Sequence, residues 1–186
     1  MQTEQKVAVV TGGATGIGKG CVLKFLAEGY QVMTTGRRLD KLQELVDEAK
    51  SADLSILRGD VSDQKQMIDL IDRTVAQWGR IDVMVNNAGI CTSIPFIDMT
   101  AGEYDQVIRV NQYGCFFGMQ AAARKMIELG IKGVIMNVSS VFYEVASPKI
   151  IHYHASKGAI SMMSKSAALE LAPYGIRVLA VAPGVI

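Results

Sequence analysis

Tyr153 and Lys157 stand four positions apart in the run His152-Tyr153-His154-Ala155-Ser156-Lys157. On a helix that spacing puts both side chains on one face. A phenol with an ordinary pKa of about 10 is a poor acid or base at neutral pH. A neighbouring ammonium favours the phenolate and lowers that value, which is one route to a proton donor matched to the operating pH. Upstream, in Asn137-Val138-Ser139-Ser140, a serine hydroxyl could hydrogen-bond a substrate oxygen and orient it. A Tyr-x-x-x-Lys by itself is also what any helix surface can carry.

A second cluster lies near the N-terminus, in Thr11-Gly12-Gly13-Ala14-Thr15-Gly16-Ile17-Gly18. Glycine lets a backbone approach a phosphate closely, and the start of the helix that follows offers free N–H groups and a partial positive charge. Between a strand and a helix, such a turn favours a dinucleotide pyrophosphate over a merely tight packing turn. Its spacing is Gly12-x-x-x-Gly16-x-Gly18, with Thr15 and Ile17 between the glycines. Where an acid would hold the ribose of NAD, the chain reads Thr35-Gly36-Arg37-Arg38. Guanidinium groups suit a 2′-phosphate through forked, charge-assisted bonds, so Arg37 and Arg38 favour NADP over NAD, against their reading as solvated loop charges. Asp40, further on, is expected to cap the next helix. Asp60 and Val61 could grip the edge and face of an adenine, or Asp60 could simply cap a helical turn. Asn86-Asn87-Ala88-Gly89 could brace a sheet and leave room for a ribose, or be a plain loop.

The segments that must position these residues alternate. β-branched, strand-like runs occur at 6–11, 30–35, 54–59, 81–85, 133–139 and 176–182. Helical spacing occurs at 17–28, 39–50, 103–129 and 153–172, and in a segment capped by Ser62 or Asp63 and ending at Gly79. Continuous apolar strands joined by helical crossovers mean an α/β fold with a doubly wound parallel sheet, of Rossmann order 3-2-1-4-5-6. Ligands in such sheets bind beyond the carboxyl ends of the strands, where the motifs above fall. Gly114 and Gly118 are expected to allow close helix approach. His152 and His154 are expected to line the cleft or the surface rather than bind metal, since i and i+2 diverge on a helix.

Gly-x-x-x-Gly-x-Gly after the first strand, Asn-Asn-Ala-Gly after the fourth, Ser140 thirteen positions before Tyr153-x-x-x-Lys157, and Pro183-Gly184 after the sixth together resemble the short-chain dehydrogenase/reductase family. The resemblance runs from Lys6 to Ile186. It implies a catalytic set of Asn111, Ser140, Tyr153 and Lys157. Ser140 would polarise a carbonyl and Tyr153 would act as acid–base. Lys157 would lower the tyrosine pKa and bind the nicotinamide ribose, helped by a cationic nicotinamide. A carbonyl of Asn111 would hold a water linking Lys157 to solvent. Gly12, Thr15, Gly16, Ile17, Gly18, Arg37, Arg38, Asp60, Val61, Asn87, Ala88, Gly89, Tyr153, Lys157, Pro183 and Gly184 would contact the cofactor. The implied activity is hydride transfer between NADP, or NAD as the lesser choice, and a carbonyl or secondary alcohol.

Residues 141–152 form one expected cleft wall. Its Glu144-Val145 and the His-Tyr-x-Ala-Ser-Lys-Gly ending are similar to bacterial glucose 1-dehydrogenases, with Glu144 an acceptor for a sugar hydroxyl. Phe142, Val145 and Ile150 would equally suit an acyl chain, so a 3-oxoacyl-thioester reductase is the alternative. A non-catalytic NADP(H) sensor is the rival of another class. Family members normally continue beyond Pro183-Gly184-Val185-Ile186 with a substrate-covering loop, a helix and a seventh strand. Six strands without that last one, and possible inactivity as a truncated fragment, are therefore expected. The resemblance also implies a homo-oligomer, a dimer or tetramer, formed partly through the helices at 111–129 and 153–172.

Composition is consistent with this. The 186 residues carry 19 Lys and Arg against 18 Asp and Glu, a formal charge of +1, without the basic excess that nucleic acid or an anionic membrane would call for. A chain 49% hydrophobic and 20% charged is globular rather than disordered, and its length suits one domain, 1–186. Cys21, Cys91 and Cys115 are odd in number, widely spaced and without a CxxC, so neither a disulfide framework nor a metal site is expected and the cytoplasm is the default. No run of about 18 apolar residues suggests a membrane span. Met-Gln-Thr-Glu-Gln-Lys runs straight into a strand pattern, so no signal peptide is expected.

Overall fold

The apolar run that opens the chain forms its most deeply buried strand. A computed structural model describes residues 5–184, in which β1 (Val7–Thr11) is buried along its whole length. The leader expected to be absent falls partly on residues 1–4, and the final Val185-Ile186 on the last two; both lie outside the described residues. After β1 come α1 (Gly16–Ala27), β2 (Gln31–Gly36), α2 (Leu39–Ala49), β3 (Leu54–Arg58), α3 (Gln64–Trp78) and β4 (Val83–Asn86). The second half holds α4 (Ala101–Ile108), α5 (Gly114–Glu128), β5 (Val134–Val138), α6 (Ile151–Leu171) and β6 (Arg177–Val181). All strand pairs are parallel and the order is β3-β2-β1-β4-β5-β6. This is the doubly wound sheet that the alternation of segments predicts.

Both faces of the sheet are covered, which explains why its strands read as continuous apolar runs. Alternate residues serve opposite layers. Val9, Met33, Met84 and Ile135 pack with Met67, Leu70 and Ile71 of α3, Met119 and Met126 of α5, and Ile160 of α6. Ala8, Val10, Val32 and Val85 pack with Val22 of α1 and Leu45 of α2.

Helix boundaries follow local chemistry. Asp63, not Ser62, caps α3, accepting from the Lys65 and Gln66 N–H groups. Asp40 does not cap α2. Arg38 takes that position, and Asp40 sits in the first turn, where its charge complements the helix dipole. The segment 103–129, expected as one helix, is two. It starts earlier, at a capping box formed by Thr100 and Glu103. It then widens into a π turn at Arg109–Tyr113 before α5 begins. Helix α6 begins at Ile151, two residues before Tyr153.

The two glycines of α5 do allow close approach. A Cβ on Gly114 would stand 2.7 Å from Val61 Cγ2, and one on Gly118 would stand 2.0 Å from Asn86 Oδ1 and 2.8 Å from Met84 Cε. Helix α5 thus lies against β4 at a distance that only glycine permits. Gly118→Ala is expected to destabilise the fold by about 1–3 kcal/mol through overpacking, read as a lower urea midpoint. An unchanged midpoint would mean that α5 can draw back without cost.

Candidate active site

The carboxyl ends of β1 and β4 are laced together. The Thr11 hydroxyl accepts from the N–H groups of Asn87 at 3.0 Å and Ala88 at 3.1 Å. The Asn87 side-chain amide donates to the carbonyls of Thr11 at 2.9 Å and Gly12 at 3.2 Å. Gly12 turns the chain with φ 66°, a conformation that disfavours residues with a Cβ. Gly18 leaves no room for a side chain, since its Cβ would stand 2.2 Å from the Gly12 carbonyl oxygen. Thr15, at the N-cap of α1, makes no side-chain cap bond, and the first turn of that helix holds no acid. The role of Thr11 is not among those expected from the sequence, although a hydroxyl between an apolar strand and a glycine turn is its visible signal.

Over this floor runs a cleft of about 300 Å³. It gathers Gly12, Thr15 and Ile17 from the first turn, Arg37 and Arg38 from the second, Asp60 and Val61 from the third, and Asn87, Ala88 and Gly89 from the fourth. Asp60 lines the cleft while its Oδ1 caps its own turn, accepting from the Ser62 N–H at 2.9 Å and the Ser62 hydroxyl at 2.8 Å. A second hollow of about 260 Å³ shares Ile17, Asn87 and Gly89 with the first and continues to Ser140, Tyr153, Lys157, Pro183 and Gly184. Gly16 shapes the first turn at φ 55°. Asn111 lines neither hollow and is buried behind them.

Ser140 and its neighbour Ser139 face different partners. The Ser139 hydroxyl is taken by the Lys157 carbonyl at 3.0 Å and the Ser161 hydroxyl at 2.9 Å. Ser140 lines the hollow together with Tyr153 and accepts the Phe142 N–H at 3.3 Å. Lys157 is only 4% exposed. Its Nζ donates to the Val138 carbonyl at 2.7 Å and lies 5.4 Å from the centre of the Tyr153 ring. Burial pulls its pKa down to about 8, partly offset by the thiols of Cys115 and Cys91. Spacing alone suggests a lowered tyrosine pKa, but in the free chain the balance runs the other way. Burial raises the Tyr153 value, the nearby Ser140 hydroxyl draws it down, and Cys91 pushes it up.

Asn111 sits in the π turn. Its Oδ1 accepts from the Ile90 N–H at 2.8 Å, and its Nδ2 donates to the Ile90 carbonyl at 2.9 Å and the Ser156 hydroxyl at 3.1 Å. The side chain therefore pins the strip after β4 to α6. His152 and His154 depart from expectation, because they are structural ties and not cleft or surface residues. His152 is fully buried, accepts the Tyr153 N–H at its Nδ1 (2.9 Å) and meets the Thr92 hydroxyl at its Nε2 (2.7 Å). His154 bridges the Phe142 carbonyl at 2.8 Å and the Ser147 N–H at 2.9 Å. The Ile94 N–H donates to the Lys149 carbonyl at 2.8 Å, a further tie between the same connections. Glu144 is exposed beside Tyr143, whose pKa it raises, and it lines neither hollow.

Residues 6–186 match the family described as short chain dehydrogenase. The chain belongs to the short-chain dehydrogenase family. An NADP-dependent (R)-specific alcohol dehydrogenase of Lentilactobacillus kefiri is 39% identical, over 97% of this chain and 73% of that protein. A glucose 1-dehydrogenase of Gluconobacter oxydans is 37% identical, over 97% of this chain and 69% of that one. The crystal structure of a short chain dehydrogenase from Mycobacterium smegmatis superposes with a TM-score of 0.94 at 32% identity, covering 98% of this chain and 78% of that one. This short-chain dehydrogenase is thus a nicotinamide-dependent oxidoreductase of carbonyl and alcohol groups. Its residues fit NAD or NADP, since the space beside Gly16 holds no protein atom within 4 Å and the first turn of α1 carries no acid to repel a pyrophosphate. Among the described residues no helix is long and apolar enough to cross a membrane.

The buried Lys157 yields a pH prediction for the nucleotide-free dehydrogenase. Its folded pKa, about 8, lies below the ordinary 10.5. Between those values the unfolded chain binds more protons, so stability rises with pH. Relative to Lys157→Met, the wild type should gain about 3 kcal/mol across that window and show a flat difference below it. Urea unfolding at stepped pH reads this directly. A difference independent of pH would show that Lys157 titrates normally in the fold.

Proposed function

We propose that the chain is an NADP-preferring reductase of small carbonyl compounds, also able to oxidise the corresponding secondary alcohols, with Tyr153 as the proton donor. The observation that carries this reading is the convergence of Ser140, Tyr153 and Lys157 on one hollow continuous with the glycine-turn cleft. When bound, the nicotinamide supplies or takes up the hydride. The Ser140 hydroxyl holds the substrate oxygen beside the Tyr153 hydroxyl, and Tyr153 passes its proton to that oxygen. Lys157 keeps a positive charge beside the phenol, lowering the cost of the phenolate once the site is filled. Asn111 fixes the 88–90 strip against α6, and a water on one of its carbonyls completes a path from Lys157 to solvent.

NADP preference is supported by Arg37 and Arg38 at the end of β2, where no carboxylate stands, and by the NADP-dependence named for the Lentilactobacillus relative. The apolar side chains around the reactive hydroxyls, Ile17, Ile90 and Val138, suit a small, mostly apolar ketone. A sugar is less well served, because Glu144 stands apart beside Tyr143. A second reading, a 3-oxoacyl-thioester reductase, draws on Phe96 and Ile97, exposed on the connection after β4 that also carries Cys91. Phe116, Met162 and Leu169, exposed on α5 and α6, supply the apolar face for a homo-oligomer. Three free thiols fit a reducing compartment such as the cytoplasm. The 186 residues are read as one domain built on one sheet.

Tyr153→Phe is expected to lower carbonyl reduction by about 10²–10⁴-fold, the usual weight of a general acid, with NADPH affinity, followed by nucleotide fluorescence, little changed. A variant that reduces the ketone as fast as the wild type would remove Tyr153 from the chemistry. A wild type that binds NADPH but turns over no ketone, sugar or thioester would favour the sensor. Arg37→Gln should weaken NADPH binding while leaving NADH unchanged, and equal losses for both would end the NADP reading.

A further inference from the structure

Arg58 closes β3, opposite Gly36 in the β2–β3 register. Its Nε donates to the main-chain carbonyl of Arg37 at 3.3 Å. This bond draws a third guanidinium to the turn that already carries Arg37 and Arg38. The two strand ends are also knitted by the Gly59 N–H, which donates to the Gly36 carbonyl at 3.1 Å. Some basic side chains elsewhere on the surface are matched with acids, as in Lys41–Glu44, Arg73–Asp69 and Lys125–Asp72, and others among the described residues, such as Arg109 and Arg124, are not. Among the described residues, Arg37, Arg38 and Arg58 have no carboxylate partner. The acid in the adjoining turn, Asp60, is turned to Ser62. Asp40 in the first turn of α2 and Asp60 in the turn after β3 are the acids of these turns, two against three guanidinium groups. Arg37 and Arg38 line that end of the cleft, and Arg58, outside its lining, is tied to them through the Arg37 peptide.

We propose that Arg58 is a specificity-determining residue, the third guanidinium of a 2′-phosphate subsite. The inference rests on the NADP reading of the cleft. Arg58 works in two ways: it adds charge at the phosphate, and through Nε it fixes the peptide that aims Arg37. Nothing in the glycine-turn spacing or in the Arg37-Arg38 pair pointed to it. What places it there is the parallel register, which sets the last residue of β3 beside the turn after β2.

The test isolates the subsite from catalysis by titrating the protein with 2′,5′-ADP and with 5′-ADP, which differ in the 2′-phosphate. The wild type should bind 2′,5′-ADP more tightly. Arg58→Gln should weaken 2′,5′-ADP by about fivefold, as befits one exposed charge contact, leave 5′-ADP unchanged, and flatten the salt dependence. Arg58→Lys, which keeps the charge but loses the planar Nε donor, should retain part of the discrimination and serves if the glutamine variant folds poorly. If Arg37→Gln abolishes discrimination while both Arg58 variants keep it in full, Arg58 is no part of the subsite. If the Arg58 variants weaken both nucleotides equally, it is only a prop for the turn, and the proposal is overturned. A wild type that binds both alike removes the NADP reading, and the inference falls with it.

Discussion

At the carboxyl ends of β1 and β4 the chain leaves two neighbouring strands toward opposite faces of the sheet, and the crevice between them must be closed without burying bare peptide groups. The Thr11 hydroxyl and the Asn87 amide do this with four bonds, each joining one strand end to the other. The arrangement satisfies the turn after β4 and holds the Gly12 carbonyl in place. It also sets the height of the cleft floor. The adenosine end, with its arginines, and the reactive end, with Ser140 and Tyr153, are both measured from that floor.

The reactive end depends on a costly choice, an amine sunk almost wholly into the protein. An unpaired ammonium is expensive to bury, and here its direct hydrogen bond goes to the Val138 carbonyl rather than to a carboxylate. The fold tolerates it because α6 is fastened to β5 along a polar seam. Ser139 bonds Ser161 and the Lys157 carbonyl, while Asn137 bonds Ser164, Asn86 and Met119. The seam keeps Lys157 beside Tyr153 without a salt bridge that would neutralise its effect on the phenol.

Much of this was legible in the chain. The apolar runs specified the strands, and their alternation with helical segments specified a parallel sheet and its order. The glycine turn and the Ser140, Tyr153 and Lys157 spacing placed the same residues around one pair of hollows. What could not be read depended on contacts between distant segments. Thr11 gains its role only when β4 lies beside β1, and Arg58 only when β3 lies beside β2. The π turn around Asn111 is a local widening that hydrophobic periodicity does not resolve. His152 and His154 are expected at the cleft or the surface because the partners that tie them sit in two separate loops. The tyrosine pKa ran opposite to the pairwise argument because burial is a property of the whole site.

The ties between those loops bear on motion. Thr92 with His152, and Ile94 with Lys149, are two rungs between the connection after β4 and the one before α6. His154 closes the second connection on itself through Phe142 and Ser147. Two rungs remove the freedom of one loop to swing while the other stays. The walls on either side of Tyr153 are therefore one mechanical unit: moving either apart from the other would break both bonds.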